Sequence, residues 1–205
     1  MSRISICQER RQSIARAAWE LIGEKGIAAT TMRDIAQRAG VSLGVVNHFF
    51  ENRQDVIDAA LAGACETYVA SVEELCGESR RPEEVLRSVL WAGLPYSPEQ
   101  ENWARSWLDF WSHASREPAL REVINNTYDT WRDAIADAVR GAQVTGEVNS
   151  GIDADLLAKL IAAVTDGLLL HAVLNPQAFP PADMERLTNL FLAILRSAGS
   201  DSSKV

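Results

Sequence analysis

The sequence predicts an all-α fold, in which a three-helix helix-turn-helix head is joined by a long helix to a larger helical body. Three observations carry this prediction. No stretch of the 205 residues shows the two-residue alternation of a strand. Apolar side chains instead recur at spacings of three and four over most of the chain. Pro82, Pro98, Pro118 and Pro181 each stand where such a run begins, the first-turn position that a residue without an N–H tolerates best.

In the head, residues 8 to 25 form an amphipathic helix with Ile14, Ala17, Ala18, Leu21 and Ile22 on one stripe and Gly26 past its end. Thr31 caps a second, short helix with Ile35, Ala36 and Ala39 inward, and Gly40 ends it where a left-handed residue is wanted. Val41 plugs the turn. Ser42 caps a third helix that turns Val46 and Phe50 inward and leaves Leu43, Gly44, Val45, Asn47 and His48 outward. Asn52 then caps a new helix with Asp55 in the capping-box position, which puts Arg53 in its first turn, beside an expected phosphate.

The body follows in order. Residues 53 to 77 give a long helix with Val56, Ile57, Ala60, Leu61, Ala64 and Val69 apolar, ended by Gly77 and Ser79. Pro82 starts a helix carrying Val85, Leu86, Val89 and Leu90 that closes before Pro95. Pro98 opens an aromatic helix to about Ser115, and Pro118 opens one reaching to about Ala142. Residues 145 to 151 (TGEVNSG) are a polar loop, and Asp153 to Leu174 and Pro181 to Ala198 are the last two helices. The expected division is residues 1–52 as head, 53–198 as body and 199–205 as a disordered tail.

Charge divides unevenly along the chain. Residues 1 to 53 hold eight Lys or Arg against five acids, a net of +3, so the remainder must carry −11 of a total of −8. A basic head on an acidic body meets DNA with one face and repels it elsewhere. The outward face of the third helix is small, apolar and neutral, as close approach to base edges and thymine methyls requires.

Residues 10 to 60, RRQSIARAAWELIGEKGIAATTMRDIAQRAGVSLGVVNHFFENRQDVIDAAL and its flanks, resemble the N-terminal domain of the TetR family of bacterial transcriptional regulators. The likeness rests on the helix ending at Gly26, the Thr-Thr start, the IAxxAGVS core and the aromatic end of the third helix. It implies that Thr31 and Arg33 contact backbone and groove edge, that Ser42, Leu43, Gly44, Val45 and Asn47 face the bases, and that His48 and Arg53 hold phosphates. This chain has Asn47, His48 and Arg53 where the family usually carries Tyr and Lys. In the body, ENWARSWLDFWSHASREPALREVINNTYDTWR and TDGLLLHAVL are similar to the C-terminal domain of BetI-type regulators, a subgroup that includes the choline-responsive repressor of glycine betaine synthesis. That likeness implies that Trp107, Phe110 and Trp111 line the ligand cavity and that Asp166, Gly167 and Leu168 lie in the first dimerisation helix.

Five of six Trp fall in the body: Trp91, Trp103, Trp107, Trp111 and Trp131. Trp103, Trp107 and Trp111 follow one drifting helical face, with Phe110 and Asp109 beside them. Two readings stand: a tryptophan-rich core seam, or a pocket. Trp faces with a carboxylate at hand suit a cationic or quaternary ammonium ligand, whereas a neutral aromatic or acyl ligand would use the walls without the acid. The last two helices carry more apolar surface than one domain face needs. Leu160, Val164, Leu168 and His171 on the first, with Leu187, Phe191 and Leu195 on the second, are expected to pair with a second copy in an isologous four-helix contact. Two heads would then read half-sites about 34–36 Å apart, or a multiple of that.

The remaining chemistry points away from catalysis. There is no G-x-S-x-G, phosphate loop, dinucleotide fingerprint or H-E-x-x-H. His113 and Glu117 fall short of the three or four ligands of a stable metal site, and Cys7, Cys65 and Cys76 form no C-x-x-C. No metal or cofactor is expected. With no signal peptide and no apolar run judged long enough to cross a membrane, a cytoplasmic protein is expected. The function expected is a ligand-responsive, dimeric DNA-binding regulator, a repressor by the family likeness, with operator DNA and a small-molecule effector such as choline or another amine as partners. The alternative is an all-helical small-molecule binder or enzyme that uses the head for interaction only.

Overall fold

The computed structural model describes residues 3–76 and 81–197, which among themselves contain helices and no strand. In chain order these are α1 (Arg3–Lys25), α2 (Met32–Arg38), α3 (Leu43–Phe49), α4 (Arg53–Cys76), α5 (Pro82–Ala92), α6 (Pro98–Ala114), α7 (Pro118–Val144), α8 (Ala154–Leu174) and α9 (Pro181–Ser197). The expected stop at Gly77 and Ser79 and the tail at 199–205 lie outside the described residues. Every proline expected to open a helix does so. The expected order of helices is the observed one, but α1 begins at Arg3, five residues before position 8.

Two compact units form, Met1–Thr67 with Glu101–Ile124, and Tyr68–Gln100 with Asn125–Val205. The units therefore do not divide at residue 52. The head unit keeps the first four turns of α4 and takes in most of α6, because Trp19 of α1 collects the aromatic side chains of that helix around itself. Its remaining core is the expected stripe: Ile14, Ala18 and Ile22 of α1, Ile35 of α2, Val46 of α3, Phe50, and Val56 and Leu61 of α4, all nearly free of solvent. Burying each such side chain contributes about 1.5–3 kcal/mol. Val69, expected on the apolar stripe of α4, is instead 53% exposed.

The second unit packs Leu86, Val89 and Leu90 of α5 against Ile135 and Val139 of α7, Leu157 and Ile161 of α8, and Leu192 and Leu195 of α9. Gly141 lets α7 approach Pro82, since a Cβ there would lie 3.0 Å from the proline ring. The loop after α7 turns at Gly146 (φ +78°), and the Gln143 amide holds it by donating to the carbonyls of Asn149 (2.9 Å) and Ile152 (2.8 Å). Asp153 caps α8, its carboxylate accepting from the Leu156 amide at 2.7 Å. One expectation needs correction here. α8 is 21 residues long with a mean hydropathy of 1.7 in its most apolar window, so by length and composition it could cross a membrane. Eight of its residues are buried within the unit instead.

Candidate nucleic-acid interface and candidate ligand cage

The turn of the head is built as its sequence suggests. The Thr31 hydroxyl accepts from the Asp34 amide (3.2 Å), and the Asp34 carboxylate accepts from the Thr31 amide (3.0 Å) and hydroxyl (2.7 Å), a reciprocal box that starts α2. Gly40 takes φ +65° with open space around it. Ser42 Oγ then accepts from the Val45 amide at 3.3 Å. Val46 is fully buried beneath α3, Leu43 and Val45 are half-buried, and Gly44, Asn47 and His48 are exposed, so the face expected to read bases does point to solvent. A Cβ on Gly44 would meet nothing nearer than Ser42 Oγ at 3.7 Å. The fold itself therefore does not require a glycine there, although it costs the helix up to about 1 kcal/mol.

The cations of the head fall into two groups. Lys25 pairs with Asp34 at 2.6 Å, and Arg38 with Glu24 at 2.6 Å and Glu20 at 3.4 Å. Hydrogen bonds from Lys25 and then Thr31 hold the Asp34 carboxyl far below the usual range, and the bond from Arg38 lowers that of Glu24. Arg53, expected on a phosphate, is committed elsewhere. Its guanidinium donates to the carbonyls of Thr30 (Nε, 2.8 Å) and Ile27, both in the turn between α1 and α2. Arg33 is exposed, with no hydrogen-bond or ion-pair partner among the described residues.

The seven residues expected around one ligand do not gather in one place. Trp103, Trp107 and Phe110 surround Trp19, with ring centroids at 6.2, 5.5 and 5.2 Å, and Trp111 lies 6.1 Å from Trp107. Polar groups of α6 stitch it to α1: Asn102 donates to the Glu20 carbonyl (3.1 Å), Ser106 to the Trp19 carbonyl (2.9 Å), and the Asp109 carboxylate accepts from the Ile27 amide. Asp109 also faces His113 Nδ1 at 3.3 Å. Gly23 makes this approach possible, because a Cβ there would collide with the Asn102 carbonyl. These four aromatic residues of α6 and Asp109 therefore pack within the head unit, Trp107 and Phe110 buried and Trp103, Trp111 and Asp109 half-buried.

Trp91 and Trp131 lie in the second unit. Trp91 stacks on Tyr96 at 4.6 Å. Trp131 meets two tyrosines edge-on, Tyr68 at 5.7 Å and 87° and Tyr128 at 5.5 Å and 65°. The Tyr128 hydroxyl donates to Asp166 at 2.7 Å, and the Tyr68 hydroxyl to the Val89 carbonyl at 2.7 Å. Gly93 leaves room between Thr165 and Tyr68. Burial raises the Asp166 carboxyl to about 6, against the opposing bond from Tyr128, and burial likewise pushes the Tyr68 phenol far up. No Lys, Arg or His pairs with Asp166 among the described residues. Three aromatic rings and a desolvated carboxylate are thus brought together, groups whose chemistry suits an organic cation. Tyr68, Tyr128 and Asp166 were not among the expected ligand residues. The available signal was Asp166 itself, a lone acid in the apolar run from 160 to 174.

On the last two helices, Leu195 is 5% exposed in its own core, while Leu168, Leu187 and Phe191 pack partly against the core of the same chain. Leu160 is 51% exposed, Val164 half-buried, and His171 exposed and stacked on Phe179 at 5.1 Å. Among the described residues of these two helices, the large apolar side chains left in solvent are Leu156, Leu160, Leu170 and Leu174 of α8 with Leu190 and Ile194 of α9, and of these Leu160 belongs to the expected set.

Comparison with known proteins divides the chain in sequence order, the second match running across both compact units. Residues 14–60 match the model of bacterial regulatory proteins of the tetR family, and residues 82–196 match the C-terminal domain of BetI-type transcriptional repressors. The transcriptional regulator BetI of Paraburkholderia phymatum is 26% identical over 197 residues, covering 95% of this chain and 97% of its own. A TetR-family regulator from Rhodococcus superposes with a TM-score of 0.81 at 27% identity, over 92% of this chain and 99% of that one. A transcriptional regulator from Saccharomonospora viridis, solved in complex with choline, gives 0.80 at 26% identity over 91% and 96%.

Proposed function

The chain belongs to the TetR family of transcriptional regulators, with a BetI-type C-terminal domain, and from that premise we propose that it is a homodimeric repressor released from its operator by a small organic cation. The regulator is not an enzyme, as its family and relatives are transcriptional regulators. The carrying observation is Asp166, a half-buried, desolvated carboxylate beside Tyr68, Tyr128 and Trp131 with no cation of its own among the described residues. A buried charge is costly until a partner arrives. A quaternary ammonium group supplies that partner without demanding hydrogen bonds from the rings. The choline bound to the Saccharomonospora viridis relative supports the same ligand class.

The exposed leucines of α8 and α9 support a dimer, since apolar rows of this kind are seldom left in water. The paired heads would present Gly44, Val45, Asn47 and His48 to successive major grooves, with Thr31, Arg33, Ser42 and Leu43 at the edges of the contact. Working in the cytoplasm, ligand in the cage shifts α4, whose chain runs from one unit into the other, and the spacing of the heads with it. Coupling must be reciprocal, so operator DNA weakens ligand binding by the same factor, typically about 5- to 150-fold.

The test is a titration of full-length protein against DNA from immediately upstream of its own gene, with choline, other amines and aromatic acids added to the complex. Release by an amine, lost in Asp166→Asn, is the expected result. Release by an aromatic acid alone would overturn the cage assignment, and Val45→Glu binding DNA normally would overturn the placement of the reading helix.

A further inference from the structure

The first turns of α1 lie beside the reading helix. Ile6, Cys7 and Arg10 form one wall of an open groove of about 470 Å³, and Gly40, Val41, Val45 and Phe49 form the other. Arg11, the next residue, lays its guanidinium 4.7 Å over the ring of Phe50, the residue that caps α3. Two adjacent arginines thus lie along α3, one beside the turn that precedes it and one at its end.

Both are exposed, and among the described residues no carboxylate pairs with either. This sets them apart from Lys25, Arg38 and Arg53, whose charges or N–H groups are taken by Asp34, by Glu20 and Glu24, and by loop carbonyls. The cation-π contact of Arg11 uses one face of the guanidinium and leaves its edge N–H donors free. Phosphates line both edges of a major groove about 12 Å wide, so a cation flanking a helix in that groove meets the DNA backbone. Half to two-thirds of protein–DNA hydrogen bonds go to phosphate and sugar.

We propose that the N-terminal turns of α1 are a second DNA-contacting element, in which Arg10 and Arg11 take operator phosphates beside the groove that α3 reads. The inference rests on α3 being the reading helix. Its contribution is to affinity and register, with the choice of sequence left to α3. Cys7 shares the groove wall with Arg10 and is exposed, so bound DNA covers its thiol.

The test uses the full-length protein and a duplex that it selects from random-sequence DNA. Because a dimer brings two heads to the duplex, the slope of log K against log salt should fall by about 1.8 for Arg10→Ala, two phosphates at about 0.9 each, and again for Arg11→Ala. Equivalently, the affinity deficit of each variant shrinks about 12-fold between 50 and 200 mM salt. Arg11→Lys should restore the slope. Arg186→Ala, an exposed pair partner of Asp183 in the second unit, should leave it unchanged. In a Cys65→Ser, Cys76→Ser background, the duplex should slow alkylation of Cys7 by N-ethylmaleimide several-fold. Unchanged slope for Arg10→Ala with unprotected Cys7, while Val45→Glu abolishes binding, would overturn this inference and keep the reading helix. Failure to select any duplex would overturn both.

Discussion

The two aromatic clusters of this chain are built from the same parts, and the proposed function uses them differently. Each has several rings and one carboxylate. Around Trp19, the Asp109 carboxylate is already occupied by the Ile27 amide and His113, and Asn102 and Ser106 bind backbone carbonyls of α1. Around Trp131, the Tyr128 hydroxyl is the one hydrogen-bond donor to Asp166 among the described residues, and burial raises its carboxyl to about 6. Aromatic residues near an acid therefore say little by themselves. What separates a packed seam from a binding cage is whether the lone pairs of the acid are already taken.

Truncation separates the two clusters most strongly. Trp107→Ala removes a 7%-exposed ring from the Trp19 cluster and should cost about 3–5 kcal/mol of stability, read as a large fall in Tm. At a temperature where the variant stays folded, amine response should persist. If Trp107→Ala keeps its Tm and loses only that response, the comparison is wrong.

Asp166→Asn comes next and acts in the opposite direction on stability. The folded carboxyl titrates above its unfolded value, so its stabilising contribution is complete below the unfolded pKa and is lost as pH rises through about 6. At pH 7.5 the substitution removes a half-buried, desolvated charge and should raise stability by about 2–3 kcal/mol, several degrees in Tm. Near pH 4 the two proteins should converge, and the variant should no longer respond to amines. Thermal melts across that range decide it, and a variant less stable than the parent at pH 7.5 would mean Asp166 has a cationic partner.

The smallest effect belongs to Asp109→Asn. The amide oxygen can still accept from Ile27, so only the charge-assisted part of that bond is lost, about 1 kcal/mol. Amine response should be unchanged, measured by the same operator titration.

Much of the head was legible because its signals are local. Thr31, Gly40, Ser42 and Asn52 act on backbone groups within three residues, so spacing alone identifies them. Arg53 shows the limit: its place in the first turn of α4 could be read, but the carbonyls of Thr30 and Ile27 that claim it come from a turn over twenty residues back. The spacing of Trp103, Trp107 and Trp111 gave a shared face without saying what covers it, and the answer, Trp19, lies more than eighty residues away in the head. On α8 and α9 the difficulty was rotational. With apolar residues nearly all round, periodicity could not tell the row facing the core, which includes Leu195, from the row left in solvent, which includes Leu190 and Ile194.

The ion pairs that tie Lys25 to Asp34 and Arg38 to Glu20 and Glu24 have a kinetic consequence. Under the proposed function, cations neutralised within the head release few counterions from random DNA, so each head would hold non-operator sequence through few charges. A regulator built this way leaves a wrong site quickly. Its search of a chromosome is then governed by short visits rather than long slides, and a small number of copies is enough to keep one operator filled.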